Sequence, residues 1–225
     1  MGLDFVVSAD VLKPRRETEL LGFRALALLA DLQEGGDGAG EFVLIDMCCG
    51  SGNLGIALAV HMASCRVWAA DLSEPAVASA KENVERHDVG ARVNVRRGNL
   101  FEALAREDLF GRVDMVVCNP PYISSGKLDG ASAMLLEHEP REAFDGGPFG
   151  LTIHQRVIRD AGAYLKPDGL LLCEFGQGQA RQLELLFARS RTYSPVEFIS
   201  DEEGRERVAV ARRRVAGQND RAAVA

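Results

Sequence analysis

Five cysteines are spread over 225 residues, Cys48, Cys49, Cys65, Cys118 and Cys173, and no two form a Cys-x-x-Cys pair. The odd number, and the apolar runs around three of them, argue for reduced core thiols rather than a disulfide framework. A reactive thiol wants a neighbouring histidine or a helix amino terminus, and Cys48 and Cys49 stand just ahead of an expected helix. The four histidines, His61, His87, His138 and His154, have no metal-like spacing with each other or with acidic residues, so no metal is expected. Long apolar runs are missing as well: Leu20 to Leu32 is broken by Arg24 and Asp31, short of the roughly 18 residues of a membrane span. The opening Met1-Gly2-Leu3-Asp4 lacks a basic segment before an apolar one, which argues against a secretory signal and for a cytoplasmic protein with no membrane partner. Positive charge is short, with a net charge of -7, so no long-range pull onto phosphate backbones is expected and nucleic acid is an unfavoured partner.

What is present is 47% hydrophobic residues in a chain long enough for one large α/β domain. Phe42 to Ile45 reads as a buried strand, Asp46 to Gly52 as a turn, and Asn53 to Met62 as a helix. Val67 to Ala70 is a second strand ending at Asp71, and Ser73 is placed to cap a helix that has Pro75 in its first turn and runs to His87. Further strands are expected at Val93 to Val95, Val113 to Cys118 and Leu170 to Phe175, and a closing pair at Val196 to Ile199 and Val208 to Ala211. Helices fill the intervals about Leu151 to Leu165 and Gln177 to Arg189, with Lys166 to Gly169 as a turn. Alternating strands and helices of this kind predict a doubly wound sheet with a terminal hairpin. The domain spans 41–214, after an amino-terminal helical segment over 1–34 and a glycine-rich linker from Gly35 to Gly40. Residues 215–225 read as a disordered tail, and Ser124 to Glu139 as a candidate lid over the sheet edge.

Two segments carry chemistry. Asn119-Pro120-Pro121-Tyr122 follows an apolar strand that Pro120 must end, because proline has no N–H for the ladder. Asn119 is thereby held at a strand's carboxyl end, the edge where open α/β sheets bind ligands. A fixed asparagine oxygen and a proline carbonyl can each accept a hydrogen bond, and Tyr122 can stack on a flat group; together they describe a holder for planar nitrogen. Upstream, Gly50-Ser51-Gly52-Asn53-Leu54-Gly55 matches G-x-G-x-x-G, and Asp71 follows at the next strand's tip, where a ribose diol could be bound. The loop alone fits NAD and S-adenosylmethionine equally. A dehydrogenase needs a group that polarises a carbonyl, whereas methyl transfer to nitrogen needs an aligned lone pair, and the Asn119 segment serves the second need.

With these residues in view, the sequence resembles the HemK/PrmC group of class I S-adenosylmethionine-dependent methyltransferases, which methylate glutamine side-chain amides. The likeness covers Pro14-Arg15-Arg16-Glu17-Thr18-Glu19, the Asp46 to Gly55 loop, Asp71-Leu72-Ser73, Asn119 to Ile123, Glu139 to Ala143 with Gly146-Gly147, and Gly204 to Val208. It implies a Rossmann-like fold with a seven-stranded, mostly parallel sheet, helices on both faces and an antiparallel terminal strand. It also implies S-adenosylmethionine as methyl donor, with S-adenosylhomocysteine as product. Its cofactor contacts would fall on Asp46, Cys48, Cys49, Gly50, Ser51 and Gly52, on Asp71 and Leu72 for the ribose, on Asn99 and Leu100 by the adenine, and on Asn119. The acceptor clamp would be Asn119, Pro120, Pro121 and Tyr122, with Asn119, Pro120 and Tyr122 in the catalytic roles.

Five positions depart from the group's pattern. Cys48-Cys49-Gly50 replaces a Gly-Thr-Gly, Asn99 an aspartate, Phe149 an aspartate and Arg16 a proline. About a dozen residues precede Pro14, where the group carries a helical docking domain. The expectation drawn from this is a small molecule or peptide as methyl acceptor. The alternatives are a protein glutamine reached with a partner subunit, N6-adenine methylation through a basic groove of Arg92, Arg96, Arg97 and Arg212 to Arg214, and a cofactor-binding scaffold without turnover.

Overall fold

A computed structural model describes residues 1–35, 40–130, 132–137 and 139–215. The runs that read as strands form one seven-stranded sheet: β1 (Phe42–Met47), β2 (Cys65–Asp71), β3 (Val93–Arg97), β4 (Val113–Cys118), β5 (Leu165–Glu174), β6 (Glu197–Ser200) and β7 (Glu206–Arg212). The spatial order is β3-β2-β1-β4-β5-β7-β6; β7 alone runs antiparallel to its two neighbours, and β1 to β5 pair in parallel. The chain winds outward from β1 to β3, then returns to pair β4 against β1. That reversal opens a crevice at the carboxyl ends of β1 and β4.

Because side chains alternate across a strand, each strand feeds two cores. Leu44, Val67, Met115, Val117 and Leu170 face α1 (Thr18–Gly35), α2 (Asn53–His61) and α3 (Glu74–Arg86). Ile45, Met47, Val116, Cys118, Leu171 and Cys173 face α5 (Thr152–Tyr164) and α6 (Ala180–Ser190). Four of the five cysteines are buried and all five are free thiols, as their apolar settings suggested. Ser73 caps α3 by accepting from the Ala76 N–H, with Pro75 in the first turn.

Beyond shifts of one to three residues at strand and helix ends, two segments depart from expectation. The Lys166-Pro167-Asp168-Gly169 turn lies inside β5 as an irregularity, where the register slips between Val113 and Met115. It is sewn into the ladder by Arg213, which donates its N–H to Gly169 O and accepts from Asp168 N. The expected lid holds a short helix, α4 (Ser125–Leu128), and a 3₁₀ turn at Ala133–Glu137. Residues 131 and 138 of that segment lie outside the described residues, as do 36–39 of the linker and 216–225 of the tail. No described helix is long and apolar enough to cross a membrane.

The first eleven residues run over α3 and the turn after β1. Asn83, fully buried on α3, accepts from Val6 N (2.8 Å) and donates to Val6 O (2.8 Å) and Ser51 O (3.0 Å). One amide thus ties the amino-terminal segment, a helix and the glycine loop together. Replacing Asn83 with alanine leaves Val6 N and Ser51 O without partners, while Val6 O keeps the Ser79 hydroxyl (2.8 Å), and is expected to cost about 2–4 kcal/mol, measured by urea unfolding. A cost below about 0.5 kcal/mol, the level of an ordinary surface change, removes Asn83 as the tie.

Candidate functional site

Met47 and Cys118, the last residues of β1 and β4, are register partners, so the loop leaving β1 and the Asn119 segment leaving β4 start side by side. Between them and the ends of β2 and β3 lies a cavity of about 700 Å³, well within the range of small-molecule sites. Cys48, Gly50, Asp71, Leu72, Asn99, Leu100, Asn119 and Pro121 line it. Asp46 and Cys49 line a small adjoining recess with Asn119 and Thr18. Ser51 and Gly52 lie buried behind the loop: Ser51 O is held by Asn83, and a β-carbon on Gly52 would press on Ile56 and Ala80.

The loop's shape follows from close approaches. At Gly55 a β-carbon would come within 2.9 Å of Asp46 Oδ2, the atom that accepts the Gly55 N–H at 2.8 Å. Cys48 adopts φ 61°, a left-handed conformation in which a β-carbon costs roughly 1–2 kcal/mol. Its side chain is half-buried and lines the cavity, whereas Cys49 points inward and burial drives its thiol pKa far up, which removes Cys49 as a nucleophile. Asp71 is fixed by two backbone donors, Gly50 N to Oδ2 and Ser73 N to Oδ1, both at 2.9 Å. Burial raises its pKa and these N–H groups lower it, while the lone pairs left over can take two hydroxyls. Asn99 is more committed than expected: its Oδ1 accepts from Arg156 (3.0 Å) and its Nδ2 reaches Glu102 (3.5 Å).

Asn119 donates through Nδ2 to the Thr18 hydroxyl at 3.0 Å. Its Oδ1 and the carbonyls of Pro120 and Pro121 accept no hydrogen bond from the described residues, and Asn119 and Pro121 line the cavity. Pro120 itself is buried. Tyr122 is turned away, with its hydroxyl donating to Glu174 Oε1 (3.1 Å), accepting from Arg207 Nη2 (3.3 Å), and its pKa pushed up to about 12 by burial and by the Glu174 charge. Gly150, at φ 71°, faces the Tyr122 carbonyl so closely that no side chain fits there. Thr18, Glu174 and Arg207 were not singled out from sequence; a threonine opening α1, an acid closing β5 and an arginine on β7 meet only when those elements pack.

Over the cavity, Asp10, Val11 and Leu12 face Pro140 to Ala143. The two sides are joined where Lys13 N donates to Glu139 Oε1 (2.8 Å) and Arg15 pairs with Glu139. The candidate lid is further held by Asp145, which accepts from Ser125 (2.7 Å) and from Arg141 (3.0 Å). Phe149 is 85% exposed. Of the arginines of the supposed basic groove, Arg92 is held by Ala59 O (2.6 Å) and Arg213 by Leu165 O, while Arg96 pairs with Glu107 (2.8 Å) and Arg97, on the cavity wall, pairs with Glu74 (2.7 Å) in an exposed contact. No cluster of potential metal ligands occurs among the described residues.

The methyltransferase small domain pattern matches residues 25–149. Release factor glutamine methyltransferase of Geobacter sulfurreducens is 38% identical over 84% of this chain, and ribosomal protein uL3 glutamine methyltransferase of Bradyrhizobium diazoefficiens 38% over 79%. The release factor enzyme of Moorella thermoacetica is 34% identical over 95% of this chain and 71% of its own length. The chain belongs to the methyltransferase small domain family. Within that family its relatives place it in the HemK/PrmC group that the sequence resembled. It spans 61% and 54% of the lengths of the first two relatives. Solved structures share the fold: the hMettl16 catalytic domain with an RNA hairpin superposes with a TM-score of 0.67 at 16% identity, covering 93% of this chain and 75% of that one. Ribosomal protein L11 methylase of Lactobacillus delbrueckii subsp. bulgaricus gives 0.60 at 17%, covering 91% and 82%. At these identities the family's class I fold is what is shared.

Asp46 offers a pH test of the loop. Burial, opposed by the Gly55 N–H and helped by the Asp71 charge, raises its pKa from 3.8 to about 7. The folded state therefore holds this proton more tightly than the unfolded one, so the contribution of Asp46 to stability is greatest below about pH 4, falls as pH climbs toward 7, and is level above. Asp46→Asn keeps an acceptor for Gly55 and carries no charge. Relative to wild type it should gain about 3 kcal/mol between pH 5 and pH 8 in urea unfolding, whereas parallel pH curves would show that Asp46 is not perturbed.

Proposed function

We propose that the chain is an S-adenosylmethionine-dependent N-methyltransferase whose acceptor is a planar side-chain amide, that of a protein glutamine. The observation that carries this reading is the Asn119 amide at the end of β4, tied by Nδ2 to Thr18 with its oxygen left to accept, beside a glycine loop and a carboxylate suited to a nucleoside. The cavity residues fit the cofactor. Asp71 would take the ribose hydroxyls, the backbone at Asn99 and Leu100 would border the adenine, and the loop from Cys48 to Gly50 would hold the amino-acid end, with Asp46 beneath it. Bound there, the cofactor supplies an electrophilic sulfonium methyl. An amide nitrogen is a weak nucleophile because its lone pair is delocalised. Asn119 Oδ1 and the Pro120 carbonyl, accepting its two N–H groups, would raise its electron density and fix its direction, which is the kind of positioning that gives enzymes several kcal/mol.

The relatives' names, release factor and uL3 glutamine methyltransferases, favour a protein glutamine over the small molecule or peptide expected from the sequence. Docking on a partner subunit fits the same site. Adenine methylation is disfavoured because Arg92 is held by a backbone carbonyl and Arg96 and Arg97 each face a neutralising carboxylate rather than forming an open basic groove. A scaffold without turnover has in its favour only the cysteines in the loop.

Methyl-labelled S-adenosylmethionine offered in parallel with a bacterial release factor, uL3, RNA and a metabolite extract should label a protein and not the other two. Label in the extract alone would return the acceptor to a small molecule, and cofactor binding with no labelled product would favour the scaffold. On the labelled substrate, Asn119→Ala should lower kcat about 100-fold or more, because a positioning contact at the reacting atom is lost; a change within threefold sinks the clamp. Asp71→Ala should weaken S-adenosylhomocysteine binding about tenfold or more by calorimetry, and an unchanged affinity removes Asp71 from the ribose.

A further inference from the structure

Behind the clamp lies a second polar cluster. Glu174, the last residue of β5, is 1% exposed. Its Oε1 accepts the Tyr122 hydroxyl at 3.1 Å and lies 3.9 Å from Arg207 Nη2, while its Oε2 is buried with no hydrogen-bond partner. Burial raises the Glu174 pKa, and the hydroxyl of Thr18, at the first turn of α1, opposes that rise together with Arg207 and Tyr122. That same hydroxyl oxygen accepts from Asn119 Nδ2. A hydroxyl that accepts still has one proton to give. The orphan Glu174 Oε2 is the acceptor that lacks one.

We propose that the Thr18 hydroxyl donates a hydrogen bond to Glu174 Oε2, and that this relay, carboxylate to hydroxyl to amide, dictates which end of the Asn119 amide faces the cavity. It rests on the reading of Asn119 Oδ1 as acceptor for the substrate N–H. An asparagine side chain fits either way round by shape, and only its hydrogen-bond partners choose between oxygen and nitrogen. With the carboxylate accepting the Thr18 hydrogen bond, the hydroxyl can only accept from Asn119, so Nδ2 turns back and Oδ1 turns outward. Without it, the hydroxyl is free to donate to Asn119, and the clamp would meet the substrate amide with an NH₂, donor against donor. The same carboxylate accepts the Tyr122 hydroxyl, so the segment that carries the clamp is held from behind by one buried acid. Glu174 and Thr18 are positioning residues and touch no substrate. The charged and titratable groups around Glu174 are Arg207 on β7, Tyr122 after β4 and Glu17 ahead of α1, with His154 on α5 bonded to its backbone carbonyl (2.9 Å).

Glu174→Gln is the same size but can present an NH₂ to Thr18, which inverts the relay. In amide ¹⁵N–¹H spectra of the chain without acceptor, the Asn119 side-chain NH₂ pair, assigned by its loss in Asn119→Ala, should move in Glu174→Gln and in Thr18→Val and return in Thr18→Ser. An unmoved pair in both Glu174→Gln and Thr18→Val overturns the relay. With a bacterial release factor as acceptor, Thr18→Val should lower kcat about 30-fold with KM for S-adenosylmethionine within about threefold, and Thr18→Ser should restore most of it. Equal losses in the serine and valine variants also overturn the relay. Wild-type chain that binds no S-adenosylhomocysteine and methylates nothing, while its Asn119 resonances respond as described, overturns the methyltransferase reading and supports the relay.

Discussion

The pairing of β1 with β4 is the constraint on which the rest of the molecule depends. Met47 lies opposite Cys118, so two chain segments separated by some seventy residues in sequence leave the sheet from adjacent points. One is a glycine loop that lets backbone approach a ligand, the other a proline-stopped asparagine that presents an acceptor. Had β4 joined the sheet beyond β3, the loop and the asparagine would sit at opposite ends of it. The chain's reversal at this point is what creates the crevice, and the parallel sense of both strands is what puts both loops on the same edge.

The charges of the site are governed by burial more than by partners. Asp46, Asp71 and Glu174 all have raised pKa values with desolvation as the largest cause, and in each the chain supplies opposing N–H or O–H donors. Such acids are costly to bury unless paired or hydrogen-bonded. Here each fixes something a hydrophobic residue could not: Asp46 the turn into α2, Asp71 the loop and two open lone pairs, Glu174 the Tyr122 ring. Acids that hold their neighbours in place recur at sites that must present unpaired acceptors to a ligand.

The central strands β1, β4 and β5 were legible as apolar runs, and the α3 cap was legible because Ser73 and Pro75 act within one turn. The glycine loop and Asp71 were legible for the same reason: their spacing is local. The Lys166 to Gly169 turn was misplaced outside β5, because its ladder partners come from Arg213, more than forty residues on, and nothing near it announces them. Thr18 and Arg207 lay within motifs that matched the HemK/PrmC group, yet their tasks could not be read, since each is defined by a partner on another element.

Local chemistry therefore determined by itself where strands begin and stop, where the backbone must bend through glycine, and which side chains stand at a strand's carboxyl end. Those follow from sterics and hydrogen-bonding capacity within a few residues. Tertiary structure alone decided that Asn119 would turn its nitrogen to Thr18, that Tyr122 would be anchored from behind by Glu174 and Arg207, and that Arg92 and Arg213 would be spent on backbone carbonyls. A side chain's orientation depends on which groups from distant parts of the chain arrive to satisfy it, and that is settled only when the elements pack.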